Sequence, residues 1–252
     1  MRISIKYIFV FSIVFNLISC KPSSYFKTKN SSTPISSAIA NQEQVDSLIK
    51  PYKDKLDAIM NDVLVVSAEE FPKERGRSET KLGNLVADLS LKVANKLYRP
   101  SDNDSIDFCL LNFGGLRTSL PKGEITRGKV FELMPFENEL VVLTITNDSV
   151  NALINYLIRT GGQPVSGVKM GIDEFGDTET QLGNPHKSKK KYKILTSDYL
   201  ANGGDKMNFF LDPMNTESVG IKLRDAIIQY CISENKKGNK LVSNLNGRIT
   251  FE

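Results

Sequence analysis

The chain has 252 residues, 40% of them hydrophobic and 25% charged, which suits one large or two small globular domains with a packed core. That composition excludes a coiled coil, a collagen-like array and a solenoid, and no internal repeat is present. The formal net charge of +4 falls to +2 once Arg2 and Lys6 are set aside with the first segment, so charge gives no reason to expect a nucleic-acid partner.

Residues 1–19 read as a secretory signal. Arg2 and Lys6 give a positive start, residues 7–18 are apolar apart from Ser12 and Asn16, and the small Ser19 ends the run. The run is too short for a membrane-spanning helix. The ending Leu17-Ile18-Ser19-Cys20 resembles the bacterial lipobox. That resemblance implies lipidation of Cys20 and an exported lipoprotein held at the membrane on its periplasmic or cell-surface side. An ordinary signal with a chance cysteine is the plain alternative. Residues 20–41, rich in Ser, Lys, Thr and Asn, read as a flexible tether.

From there the chain alternates. Val45, Leu48, Ile49, Leu56 and Met60 recur at helical spacing, with Pro51 interrupting them, and residues 63–66 read as a short strand. Arg75 and Arg77 lie in the loop that feeds an apolar helix expected over residues 85–98. A helix start offers free N–H groups and a positive dipole end, so these arginines suit an anion; a solvated basic loop is the alternative. Residues 101–105, Ser-Asp-Asn-Asp-Ser, lack the later Gly and Glu of a calcium loop and read as a solvated turn.

Residues 106–111 are an apolar run that predicts a buried strand, and it ends in Asn112-Phe113-Gly114-Gly115-Leu116-Arg117. Paired glycines permit close backbone approach, and an arginine there brings a planar fork of donors. A short helix over 129–133 leads to the turn Met134-Pro135-Phe136-Glu137-Asn138-Glu139 and a strand over 140–146. Asn147 or Asp148 caps a helix over 150–159 that ends at Gly161-Gly162. A strand follows over 168–172, then a polar loop over 173–190 carrying His186, Lys187, Lys189 and Lys190, read as solvated. A strand over 192–196 runs into the second Gly-Gly turn, Asp198-Tyr199-Leu200-Ala201-Asn202-Gly203-Gly204-Asp205. An amphipathic helix over 218–233 and a strand over 247–251 close the chain. Cys109 and Cys231 fall in apolar settings; two cysteines of an exported domain could pair, and buried free thiols are the favoured reading. The expected architecture is one mixed α/β or α+β domain over residues 42–252, layered sheets flanked by helices.

Three stretches in order, Leu82-Gly83-Asn84 opening a helix, Asn112-x-Gly-Gly-Leu-Arg117 and Asp198 to Asp205, with Pro135-Phe136 between the second and third, resemble the C-terminal domain of the 5′-nucleotidase family. The likeness covers residues 42–252. It implies a domain that binds the nucleoside part of a nucleotide. Phe136 and Tyr199 would be the two stacking rings, Tyr199 standing where the family usually has Phe. Asn112 and Asn138 would meet the base or its surroundings, with Gly115 in the turn and Gly167 near the base. Asp205 would hold the ribose hydroxyls. Arg117 would reach the phosphate or ribose side, helped by Arg77 or Arg75, of which Arg77 is favoured.

The family's chemistry resides in a separate metallophosphatase domain with two metal ions, and such a site needs several His and carboxylate ligands. This chain has one histidine, His186, and no paired-His, Asp-x-His or Gly-Asn-His motif. The resemblance therefore implies a recognition subunit without a catalytic residue or cofactor of its own, partnered by a separate metallophosphatase that carries the divalent metals. Whether the chain is itself an enzyme is left open. The alternative is a stand-alone nucleoside- or nucleotide-binding lipoprotein for capture or sensing.

Overall fold

The computed structural model describes residues 32, 34–36, 39, 42–74, 76–173, 178–183 and 190–251. The expected signal, Cys20, most of the tether, Arg75, His186, Lys187 and Lys189 lie outside the described residues. The chain divides into two compact units, Met1–Leu48 and Ile49–Glu252. Helix α1 (Glu43–Met60) contains Pro51 without ending there and buries none of its side chains.

The second unit is built on a five-stranded sheet in the order β5-β2-β8-β4-β9, formed by β2 (Phe108–Leu110), β4 (Glu139–Thr146), β5 (Val165–Ser166), β8 (Lys191–Ser197) and β9 (Asn215–Lys222). Side chains alternate between its faces because successive Cβ atoms of a strand point opposite ways. Cys109, Leu140, Val142 and Leu195 enter one hydrophobic cluster, while Phe108, Leu110, Val141, Leu143, Ile145 and Ile194 enter another. The first cluster is covered by α2 (Lys81–Leu97), α6 (Leu223–Lys236) and the small sheet of β1 (Val63–Ser67) with β3 (Gly123–Thr126). The second is covered by α4 (Asn147–Thr160) and the three-stranded sheet of β10 (Ile249–Phe251), β6 (Val168–Ile172) and β7 (Thr178–Leu182). This is the layered mixed α/β domain expected from the sequence.

Several elements differ from their sequence-based bounds. Helix α2 starts at Lys81, before residue 85, because the Thr80 side chain caps it by accepting from Gly83 N–H at 2.9 Å. Helix α3 (Arg127–Leu133) and α4 likewise begin early, capped by Thr126 and Thr146. Gly161 ends α4 in the left-handed region at φ 70°. Residues 218–222 are strand, not helix: β9 pairs antiparallel with β4, and α6 begins only at Leu223. The expected polar loop contains strand β7, which pairs with β6. Cys109 and Cys231 are buried and free, and burial pushes the Cys231 thiol up to about 12.

Residues 101–103 form an exposed turn, as expected, and from it Asp102 also grips a buried lysine. Lys193 on β8 is 1% exposed and bonds Asp102, the Tyr98 hydroxyl at 3.0 Å and Glu217 at 3.4 Å. Tyr98 donates to Glu217 at 2.5 Å. This last bond is the main reason why the Glu217 carboxyl lies at about 2 rather than 4.5. A depressed carboxyl contributes stability that is complete above its unfolded value and lost as pH falls toward its folded one. Urea unfolding measured across that acid range is therefore expected to show falling stability from pH 4.5 toward about 2, with a shallower fall in Glu217→Gln.

Candidate functional site

The topology of the central sheet brings three loops to one edge. β2 runs parallel to β8, with Phe108 opposite Ile194 and Cys109 opposite Leu195. β4 runs antiparallel to β8, with Leu140 opposite Ser197. The chain therefore leaves β2 and β8, and enters β4, at the same edge. The loops there are the two Gly-Gly turns and the Phe136-Asn138 turn. They enclose a cavity of about 310 Å³ lined by Asn112, Gly114, Gly115, Arg117, Phe136, Asn138, Tyr199 and Asp205. Phe136 and Tyr199 are 39% and 45% exposed, large apolar surfaces left open to whatever enters.

Each wall is held by named bonds. After β2 the chain makes a 3₁₀ turn, Phe113–Gly115, in which Gly115 N–H donates to the Asn112 carbonyl at 3.2 Å. Arg117 anchors by its own N–H on the Leu133 carbonyl at 2.8 Å. Its guanidinium donates to the Gly114 carbonyl at 3.3 Å and lies 5.8 Å from the centre of the Phe136 ring, a cation–π approach.

The Phe136 turn is clamped from α6. Leu223 N–H donates to the Asn138 carbonyl at 2.9 Å, and Arg224 to the Phe136 carbonyl at 3.4 Å. The Arg224 guanidinium also stacks 4.2 Å from the Phe131 ring centre and bonds Glu137. Lys222 bonds Glu137 at 2.5 Å, and Lys222 with Arg224 holds that carboxyl down at about 2.

After β8, the Ser197 side chain caps the short helix α5 (Asp198–Ala201). Asp198 Oδ1 accepts from Tyr199 N–H at 2.7 Å and from Glu139 N–H at 3.2 Å, tying this turn to the start of β4. The chain then enters the left-handed region at Gly203, Asp205 and Lys206, with φ of 81°, 51° and 64°. Two consecutive non-glycine residues at positive φ are a local strain. Three side chains hold Asp205 in it. Tyr156 donates its hydroxyl to the Asp205 carbonyl at 3.0 Å. Tyr199 donates to Oδ1 at 2.9 Å and accepts from the Asp205 N–H at 3.3 Å. Asn112 donates to Oδ2 at 2.6 Å.

Of the residues predicted from sequence, Asn112, Gly115, Arg117, Phe136, Asn138, Tyr199 and Asp205 converge on this cavity. Arg77 and Gly167 do not line it. Arg77 is exposed and pairs with Glu74 at 3.4 Å, beside a neighbouring cavity of about 270 Å³ that also touches Gly114 and Arg117. Gly167 lines a separate cavity with Asp88, Lys169 and Arg248. Tyr156, Glu137, Lys222 and Arg224 support the site yet carry no sequence signal of it. Tyr156 sits on a helix face with Leu153 and Leu157 that reads simply as core, and Arg224 lies where one continuous helix was expected. Among the described residues, no group of three or more His, Cys, Asp or Glu could hold a metal ion, and no helix is long and apolar enough to cross a membrane.

The profile of the family described as 5′-nucleotidase, C-terminal domain, matches residues 63–212. A cell wall protein of Listeria monocytogenes, Lmo0130, is 23% identical over 85% of this chain and 30% of its own length. The snake venom 5′-nucleotidase of Macrovipera lebetinus is 26% identical over 69% of this chain and 47% of its own length. The crystal structure of a 5′-nucleotidase precursor from Thermus thermophilus has the same fold, with a TM-score of 0.64 and 24% identity over 83% of this chain and 43% of that one. The chain thus spans less than half the length of these relatives.

A Cβ on Gly204 would lie 2.5 Å from the Tyr199 ring and 2.6 Å from the Tyr199 carbonyl oxygen, so glycine is what lets the ring lie against this backbone. Gly204→Ala is expected to destabilise the fold by about 1–3 kcal/mol in urea unfolding, the usual range for overpacking. Its crystal structure is expected to show the Tyr199 ring displaced from Asp205.

Proposed function

The chain belongs to the family of 5′-nucleotidase C-terminal domains, and from that premise we propose that its cavity recognises the nucleoside part of a nucleotide for a metallophosphatase that performs the hydrolysis. One observation carries this reading: two open aromatic faces, Phe136 and Tyr199, share a small cavity with a carboxylate, two asparagines and an arginine. A base slides between two rings because every base has a π face, and such stacking is worth ~1–3 kcal/mol per base. The Asp205 carboxylate accepts from vicinal ribose hydroxyls, the chemistry by which an acidic residue holds ribose in dinucleotide folds. Asn112 and Asn138 offer both donors and acceptors to a base edge.

Arg117 supplies the positive end. Its guanidinium rests near the Phe136 face and on the Gly114 carbonyl, and by turning from them it would meet a phosphate, which it matches as a bidentate fork. Binding the nucleoside in this way leaves the phosphate ester at the mouth of the cavity, presented to a second protein surface. The two-metal hydrolysis of that ester calls for several converging His and carboxylate ligands. With a single histidine in 252 residues, this chain does not fit such a site, and no metal-dependent step is assigned to its own residues. The Leu17-Ile18-Ser19-Cys20 ending supports an exported protein tethered to a membrane through lipid on Cys20.

Calorimetric titration with adenosine and AMP, alongside phosphate release from AMP with Mn²⁺ or Co²⁺ added, tests the reading. The expected result is binding without turnover by the protein alone. Phe136→Ala is expected to weaken binding roughly 5- to 150-fold, the equivalent of one lost stack. Stoichiometric phosphate release by the purified protein would contradict the division of labour, and binding indifferent to Phe136 would contradict the site.

A further inference from the structure

Resting on the nucleoside reading, we propose that the Tyr199 hydroxyl is a specificity-determining group that makes this cavity select ribonucleosides over 2′-deoxyribonucleosides. The hydroxyl and Asp205 form a closed two-bond ring. An ionised carboxylate only accepts, so the single hydroxyl proton goes to Asp205 Oδ1 at 2.9 Å, while the hydroxyl oxygen takes the Asp205 N–H at 3.3 Å. Asn112 fixes the other oxygen, Oδ2, at 2.6 Å. The backbone beneath is fixed as well, by Tyr156 on the Asp205 carbonyl at 3.0 Å.

The consequence is a carboxylate with one partner on each oxygen before any ligand arrives. A carboxylate has about four acceptor positions, so each oxygen keeps capacity for one further donor. Two such positions, side by side and unable to rotate, match two neighbouring hydroxyls of a ribose. A 2′-deoxyribose fills one and leaves the other without its donor. A site arranged to bond a hydroxyl discriminates against the analogue that lacks it, and hydrogen bonds to charged groups are among the stronger ones. Because Asp205 is exposed, water takes part of the vacant position and the selection is moderate rather than absolute.

Phenylalanine at residue 199 would keep the stacking face and remove only the hydroxyl. Oδ1 then loses its internal donor and the carboxylate is free to rotate, so the two acceptor positions are no longer pre-set. The hydroxyl thus does for the sugar what the ring does for the base.

The test compares adenosine with 2′-deoxyadenosine by calorimetry on the full chain, in wild type, Tyr199→Phe and Phe136→Ala, with melting temperature as the check of folding. Wild type is expected to prefer adenosine by roughly 10-fold or more. In Tyr199→Phe that preference is expected to shrink by roughly 3-fold or more, because adenosine, which uses both acceptor positions, loses more than 2′-deoxyadenosine, which uses one. Asp205→Asn is a second route to the same end and is expected to reduce the preference too. An unchanged preference in Tyr199→Phe, equal loss of both ligands, or no preference in wild type overturns the inference while Phe136-dependent binding still upholds the nucleoside site. No nucleoside binding by wild type overturns both.

Discussion

Strands β2 and β8 share only a short parallel ladder, Phe108 with Ile194 and Cys109 with Leu195, and the cavity depends on it. Parallel pairing sends two strands out of a sheet at the same edge, whereas antiparallel pairing would have placed the two Gly-Gly turns at opposite ends. The antiparallel partner β4 completes the arrangement by entering where they leave. Crevices beyond the carboxyl ends of parallel strands are the usual ligand sites of open α/β sheets, for this same reason of converging loops. Here the pairing is protected by burial on both faces, since Phe108, Cys109, Ile194 and Leu195 are all 0% exposed.

On that frame the site is assembled from strain and its restraint. Asp205 and Lys206 occupy backbone conformations that ordinary residues avoid, at a cost of order 1–3 kcal/mol each. The surrounding bonds hold this conformation: a tyrosine on the carbonyl, a tyrosine on the N–H and carboxylate, and an asparagine on the carboxylate. The opposite wall is restrained differently. There the Phe136 turn is gripped by charged side chains of Lys222 and Arg224 working through Glu137. The Phe136 face is thus set in place by groups that do not line the cavity, whereas the Tyr199 face is held by the lining residue Asp205, whose backbone Tyr156 fixes from outside.

Much of this was legible in the sequence because the informative residues are local. Glycine pairs mark the turns, and apolar runs mark the strands between them. Seven cavity residues followed from the resemblance of those turns to a known family. What escaped was set by tertiary contacts. Residues 218–222 read as helix since Val219, Leu223 and Ile227 fit a helical face, yet Val219 and Ile221 also alternate as in a strand, and pairing with β4 decided the outcome. Strand β7 is polar and pairs with β6 alone on its described side, so no hydrophobic alternation announced it. The tie between Asp102 and Lys193 was not legible because the two lie 91 residues apart. Tyr156 and Arg224 were invisible for the same reason: their roles exist only once α4 and α6 are docked.

On the proposed function, the base of a nucleotide lies between Phe136 and Tyr199, with its sugar on Asp205. A crystal structure of the protein with AMP bound tests this most directly. The expected structure has the base stacked between the two rings, the ribose hydroxyls within hydrogen-bond distance of Asp205, and Arg117 turned from the Phe136 ring toward the phosphate. AMP ordered elsewhere on the molecule, with this cavity holding only solvent, would contradict it.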